Sequence, residues 1–399
     1  MATLLLIIIY ASFISLGLPD SIFGVSWPIA HIDLGVGLGF ASVLSILVGL
    51  CTASLSMFAG KLIRRFGTGP VTSVSVLLTA IALMGISFSP TVWWMIPFMI
   101  MLGVGAGAVD VGLNDYVAAH YKAQHMNWLH CFWGIGVTGS PLIMSRFLLS
   151  ASWRSGYRLI ALIQLGFAMM LFLALPLWKK IAAKSAPSSA KGAESLPEPA
   201  PATRPIQIPG VRMSMLMLAL YCGLEYIVGT WGASFLIHTR GIDAARAAIW
   251  VSLYYGGIMV SRFITGFTTM RLPDQVPIRT GLIVLMLGAV CLALPFGNAF
   301  ALIGMLLIGM GCGPIFPCTL HATAARFGKT YSADIVGFQM GGAYFGTLVL
   351  QPLFGYIATR TTFFISPYVL LGLALLQLCL FEALERKLHK RRRKEAAHV

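Results

Sequence analysis

The sequence predicts an all-α membrane protein of twelve transmembrane helices in two pseudo-symmetric six-helix bundles, and three observations carry that prediction. Apolar stretches of about 20 residues, the length that crosses a bilayer as a helix, recur along the 399 residues. Charged residues make up only 10% of the chain against 58% hydrophobic. A soluble chain carries roughly 25% charged residues, so a water-exposed surface is excluded, and with it a soluble enzyme. The third observation is a repeat: Leu102-Gly-Val-Gly-Ala-Gly107 and Ile308-Gly-Met-Gly-Cys-Gly313 lie 206 positions apart.

Each element follows from the same physics. In hydrocarbon every backbone amide needs a partner within the chain, so only helices or a closed barrel can cross. Continuous apolar runs exclude the alternating pattern of a barrel. The first span is expected at 4–30; it is apolar almost from the start, lacks a basic leader region and cleavage site, and reads as a retained helix. The next five are expected at 39–60, 71–89, 92–118, 127–149 and 156–178. The second half has spans at 213–237, 244–267, 277–295, 298–322, 332–356 and 361–383.

These spans group into an N-terminal bundle over 1–178, a linker over 179–212, a C-terminal bundle over 213–383 and a basic tail over 384–399. The linker is rich in Pro, Ala, Ser and Lys, the composition of a flexible connection. The repeat extends beyond the glycines. Gly60 and Arg65 match Gly266 and Arg271 at the same offset of 206, and Ser140-Pro141 matches Gln351-Pro352 at 211. A sustained offset points to duplication of a six-span unit, a device common in secondary transporters.

The net charge of +15 comes from 28 basic and 13 acidic residues. The basic residues sit between apolar spans, which points to membrane topology and away from nucleic acid. Placing both termini in the cytoplasm puts Lys61, Arg64, Arg65, Lys122, Arg271, Arg279, Arg326, Lys329 and the tail on that side, as the positive-inside rule requires. That orientation places both termini in the cytoplasm; the expected location is a bacterial plasma (inner) membrane, and the protein is expected to be a monomer. The seven cysteines lie in apolar stretches without metal-ligand spacing and read as small hydrophobes. No cofactor or metal is expected. Trp93, Trp94 and Trp153 read as interfacial anchors.

Polar side chains inside the spans are the candidate site, because a charge at mid-bilayer costs about 2.5–3.5 kcal/mol on insertion scales. Asp20 follows Pro19 in the first span, where a missing amide donor can loosen the helix; it reads as a proton carrier and substrate contact, with a structural hydrogen bond as the alternative. Glu225 matches Asp20 at an offset of 205, and Gly229 matches Gly24. The two acids then occupy related places facing one central cavity, unless Glu225 serves packing between the bundles. Asp110 and Asn114 are four apart on one helix face, and their repeat partners Phe316 and Leu320 are apolar. Asn127, His130 and Trp133 form a stripe in the fifth span, and Tyr344 matches Trp133 at 211. Gln339 and Trp231 complete the expected lining. Trp27 lines the outward half or belongs to an interfacial belt. Arg262 pairs with an acid or snorkels to headgroups.

Twelve spans, a 6+6 repeat and a central linker resemble the major facilitator superfamily. Gly60-Lys-Leu-Ile-Arg-Arg65-Phe-Gly67 is similar to that family's loop between spans two and three, with Arg64 where aspartate is usual. The resemblance implies a cytoplasmic gate at Gly60, Arg64, Arg65 and the degenerate copy ending at Arg271. More narrowly, Gly17-Leu-Pro-Asp20, Asp110-x-x-x-Asn114, Asn127-x-x-His130, Gly223-Leu-Glu225 and Gly229-Thr-Trp231 resemble the fucose/hexose proton symporters and their sodium-dependent glucose transporter-like relatives. That resemblance implies proton coupling and sugar recognition at Asp20 and the Asp110/Asn114 pair.

Together these observations predict a secondary active transporter working by alternating access, taking up a small neutral monosaccharide (a hexose or deoxyhexose) with protons carried by Asp20, Asp110 or Glu225. Carboxylates, amides, an imidazole and aromatic faces suit a hydroxyl-rich ligand. The alternatives are proton-driven efflux of lipophilic solutes and sodium-coupled sugar transport.

Overall fold

The computed structural model describes residues 2–120, 123–149, 152–185, 205–328 and 331–396. Among them the chain is helical throughout, with helices joined by short turns. In order these are α1 (Ala2–Asp33), α2 (Phe40–Phe66), α3 (Thr68–Phe88), α4 (Val92–His120), α5 (Ala123–Leu148) and α6 (Trp153–Ser185). After the linker come α7 (Val211–Arg240), α8 (Ala244–Thr268), α9 (Gln275–Ala293), α10 (Asn298–Cys312), α11 (Ile315–His321), α12 (Thr323–Phe327), α13 (Ser332–Arg360) and α14 (Ser366–Ala396).

Ten of these segments are long and apolar enough to cross a membrane. The other two spans are α5 and α13, 26 and 29 residues long. Polar residues such as His130 and Gln339 lower their apolar content, yet each packs along the first helix of its half, α5 on α1 and α13 on α7. The expected tenth span is divided. Pro314, which lacks an amide donor, caps the start of α11, so the helix is interrupted after Cys312. The last span does not stop where the basic tail begins: α14 carries the helix through to Ala396. Pro19 does not break α1 either, which stays helical across it.

The repeat read from the sequence reappears in space. Gly103 of α4 lies against the carbonyl oxygen of Val48, and Gly309 of α10 against that of Tyr254; both partners are offset by 206. A Cβ at Gly103 would sit 2.5 Å from its neighbour, and one at Gly309 closer still. Gly136 of α5 meets the Ile14 carbonyl, and Gly346 of α13 meets that of Ala219. In lipid, helices gain little from the hydrophobic effect between them, and close backbone approach through small residues substitutes for it.

The halves meet along α5 and α8, α2 and α13, and α1 and α7. The end that carries the α1–α2 and α7–α8 turns is here termed the hairpin end; the opposite end, where α1 begins, is the terminal end. Gly24 of α1 packs directly on the backbone of Gly229 and Thr230 in α7. Ser42 Oγ of α2 donates to the Pro352 carbonyl of α13 at 3.2 Å, and Ser252 Oγ of α8 donates to the Thr138 carbonyl of α5 at 2.6 Å.

Gly136→Ala is expected to cost about 1–3 kcal/mol by overpacking against α1, seen as a lowered thermal midpoint of the purified protein. Gly139→Ala, on the same helix with nothing within 4 Å of the added carbon, is expected to leave the midpoint unchanged or slightly raised. Equal midpoints for the two variants would contradict the packing.

Candidate functional site

Between the halves lies a cavity of about 300 Å³. Its walls come from α1, α2, α4 and α5 on one side and from α7, α8, α11 and α13 on the other. Matched helices of the two halves thus meet at one chamber.

Four side chains form a continuous chain of contacts across it. Asp20 on α1 is exposed to the cavity. Trp133 Nε1 on α5 donates to Asp20 Oδ2 at 2.8 Å. The guanidinium carbon of Arg262, on α8, sits 5.0 Å from the centroid of the same indole, a cation–π contact worth about 0.5–2 kcal/mol. Arg262 Nη2 then lies 3.7 Å from Glu225 Oε1 on α7, and both side chains are only 9% exposed. A charge-assisted hydrogen bond is shorter, about 2.7–2.9 Å. The pair therefore neutralises its charges without a tight hydrogen bond. Tyr254 OH donates to the Glu225 carbonyl oxygen at 3.2 Å and fixes the backbone beneath the carboxylate.

His130 lies one helical turn before Trp133 and lines the same wall, edge-on to Phe13 with centroids 5.8 Å apart. Tyr344 lines the opposite wall, and its hydroxyl donates to Ser56 Oγ of α2 at 3.3 Å. Asp20, His130, Trp133, Glu225 and Tyr344 are therefore brought together as the sequence suggested.

Other expected lining residues lie elsewhere. Trp27 is 1% exposed, and its Nε1 donates to the Leu38 carbonyl at 2.7 Å; it fastens the α1–α2 turn, since its indole finds both apolar contact and an acceptor there. Trp231 is likewise 1% exposed, donating to the Gln351 carbonyl at 3.2 Å and filling the space left by Gly355. Gln339 is fully buried between α7, α12 and α13, accepting from Thr323 Oγ1 at 2.9 Å and donating to Ser214 Oγ at 2.5 Å. Asn114 is half-buried on α4 and is not part of the cavity wall. Trp153 is buried rather than interfacial, with its Nε1 donating to Asp33 Oδ2 at 3.0 Å. The side chains of Asp110 and Asn127 lie outside the described residues; their backbones belong to α4 and α5.

Arg262 is the site residue that the sequence left undecided, and its interior position, costly for a cation, was the signal. The neutral lining groups Ser45, Thr52, Thr230, Thr347 and Gln351 carried no signal, because hydroxyls and amides in helices also bond to their own backbone.

At the terminal end Gly60 is half-buried, while Arg64, Arg65 and Arg271 are exposed and make no ion pair among the described residues. Among the described residues the ion pairs there lie within the second half, Arg279–Glu382 at 2.6 Å and Arg326–Glu385 at 2.7 Å, beside a hydrogen bond between His321 Nδ1 and Asp274 Oδ2 at 2.8 Å. The expected gate residues are thus not engaged with one another.

Comparison with known proteins agrees with this architecture. The Major Facilitator Superfamily profile matches residues 9–340. The glucose/mannose transporter GlcP of Bacillus subtilis (strain 168) is 23% identical over 322 residues, covering 78% of this chain and 77% of the relative. The niacin transporter NiaP of Acinetobacter baylyi (strain ATCC 33305 / BD413 / ADP1) is 30% identical over a shorter stretch of 92 residues, 22% of this chain and 21% of the relative. Among solved structures, a mutant of the nucleoside transporter NupG superposes with a TM-score of 0.72 at 12% identity, over 94% of this chain and 98% of its own. A D-xylose-proton symporter superposes at 0.69 and 13% identity, over 94% and 96% of the two chains. With the profile matched across most of its length and the fold shared with these structures, the chain belongs to the Major Facilitator Superfamily, a family of multi-pass membrane transporters.

Proposed function

We propose that the chain takes up a monosaccharide, a hexose or deoxyhexose, by proton-coupled alternating access across a bacterial plasma membrane, with both termini in the cytoplasm. The observation that carries this reading is the contact chain Asp20–Trp133–Arg262–Glu225 at the meeting of the two halves.

Its chemistry suits a neutral polyol. Two carboxylates and a guanidinium offer hydrogen bonds to hydroxyls, and Trp133 and Tyr344 offer flat apolar faces for the carbon skeleton. The one cation described in the wall is paired with Glu225, which leaves no uncommitted positive charge for a strongly anionic substrate. The volume, about 300 Å³, is at the small end of ligand pockets, roughly 300–1,000 Å³; this favours a monosaccharide over a bulky lipophilic solute. The sugar named for the Bacillus subtilis relative, glucose or mannose, supports the substrate class.

Asp20 is the coupling group in this reading. Of the acids described in the wall, Asp20 is exposed and Glu225 buried, and protonation of Asp20 would weaken the hydrogen bond that it accepts from Trp133. Since the same indole carries the Arg262 contact, the charge state of Asp20 bears on the junction between the halves. The polar contacts described across the hairpin end are single hydrogen bonds to backbone carbonyls, each worth about 1 kcal/mol net, beside helix packing of α5 on α8.

In proteoliposomes with an imposed inward proton gradient, the protein is expected to accumulate glucose, mannose or a deoxyhexose. Asp20→Asn is expected to abolish accumulation against a gradient while leaving insertion intact. Accumulation at the normal level by this variant would remove Asp20 from coupling, and a response to sodium alone would replace the proton.

Arg262→Gln and Glu225→Gln are each expected to lower uptake at least about tenfold, because removing one partner leaves a buried charge uncompensated. The double variant is expected to recover part of the loss, with a coupling of about 0.5–3 kcal/mol. Additive losses would mean that the two side chains act separately.

A further inference from the structure

A second cavity, of about 390 Å³, opens at the hairpin end on the lipid-facing side of α3 and α4. It shares no lining residue with the chamber between the halves. Ile81, Met84, Gly85, Phe88, Trp94 and Phe98 give it an apolar wall. Its depth depends on Gly85, since a Cβ there would overlap the Phe98 ring. Phe88 is 62% exposed, and Trp93 and Trp94 are 70% and 64% exposed beside it. Aromatic side chains concentrate at the membrane–water boundary, so the mouth of the groove lies at headgroup depth and its floor runs into the acyl region.

Two arginines of α6 stand over this mouth. Arg154 is committed: it pairs with Asp33 and donates to the Ser89 carbonyl at 3.1 Å. Arg158 is exposed, its guanidinium carbon 4.6 Å from the Phe88 ring centroid, and it has no ion-pair partner among the described residues. Asp33, the acid beside them, is already neutralised by Arg154. An arginine without a counterion above an apolar groove in a bilayer is complementary to one kind of molecule, an anion with a hydrocarbon chain.

We propose that this groove holds one anionic phospholipid, with its phosphate on Arg158 and an acyl chain along Ile81, Gly85 and Phe98. The site is separate from the transport chamber, so it stands or falls independently of the substrate. The guanidinium supplies a charge-assisted, bidentate contact to a phosphodiester. A zwitterionic lipid carries its own cation beside the phosphate and gains less.

The full-length protein, purified and titrated with phosphatidylglycerol or phosphatidylcholine, tests this by native mass spectrometry. The expected result is one phosphatidylglycerol retained per chain in preference to phosphatidylcholine. Arg158→Ala is expected to weaken that retention about tenfold, as loss of one charged hydrogen bond implies, and Arg158→Lys to keep an intermediate affinity. Ile81→Trp, at an exposed position in the groove, is expected to reduce retention with Arg158 intact. Equal retention of both lipids, or unchanged retention in Arg158→Ala and Ile81→Trp, would overturn the proposal. So would a dimer that these substitutions dissociate, which would make a second copy the occupant.

Discussion

The Arg262–Glu225 pair is the constraint on which the central chamber depends. A guanidinium and a carboxylate, each 9% exposed, cannot remain charged inside a lipid-embedded bundle unless each supplies the other's counter-charge. Their 3.7 Å separation does that while leaving their hydrogen-bonding capacity largely unspent. Because Arg262 also covers the Trp133 ring, and Trp133 holds Asp20, one charge pair in the second half reaches an acid in the first. The polar centre of the molecule is therefore a single connected object.

Around that centre, glycines set the geometry. Within each half they allow helices to cross at backbone contact: Gly103 on Val48 and Gly136 on Ile14 in the first, Gly309 on Tyr254 and Gly346 on Ala219 in the second. These interlocks repeat at corresponding positions, so the two halves share one packing design. Between the halves, Gly24 packs on Gly229 and Thr230, and Gly134 of α5 on Met259 of α8, within an interface in which α5 lies on α8. Two units of the same design that meet chiefly along α5 and α8, α2 and α13, and α1 and α7 suit a rocking motion, the basis of the alternating access proposed here.

The fold was legible because its causes are local and repeated. Apolar runs, few charges and an offset of 206 residues required no knowledge of packing. The break before α11 was not anticipated: the sequence predicts one whole span over 298–322, although Pro314 stands inside it. The site was legible only in part. Asp20 and Glu225 stood out as costly acids, and their matched positions placed them on one chamber. Trp27, Trp231 and Gln339 misled for a common reason: a polar atom on a large side chain marks a need for a partner but not where the partner lies. All three found it in packed helix contacts, two on backbone carbonyls and one on hydroxyls. Arg262 had two destinations from sequence, headgroup or acid, and only the angular placement of α8 against α7 decides between them. The expected gate arginines are exposed, and the ion pairs described at the terminal end use Glu382 and Glu385, acids that the repeat did not single out.

Distance measurements between spin labels on the two halves test the central claim most directly. One pair would sit at the hairpin end, on Ile32 and Arg360, and the other at the terminal end, on Phe66 and Leu272, all exposed positions. If the polar centre is the pivot of two rocking bundles, transported sugar and protons will lengthen the hairpin-end distance in a fraction of molecules, and the terminal-end distance will shorten in that same fraction. Transport with both distances fixed would contradict the account.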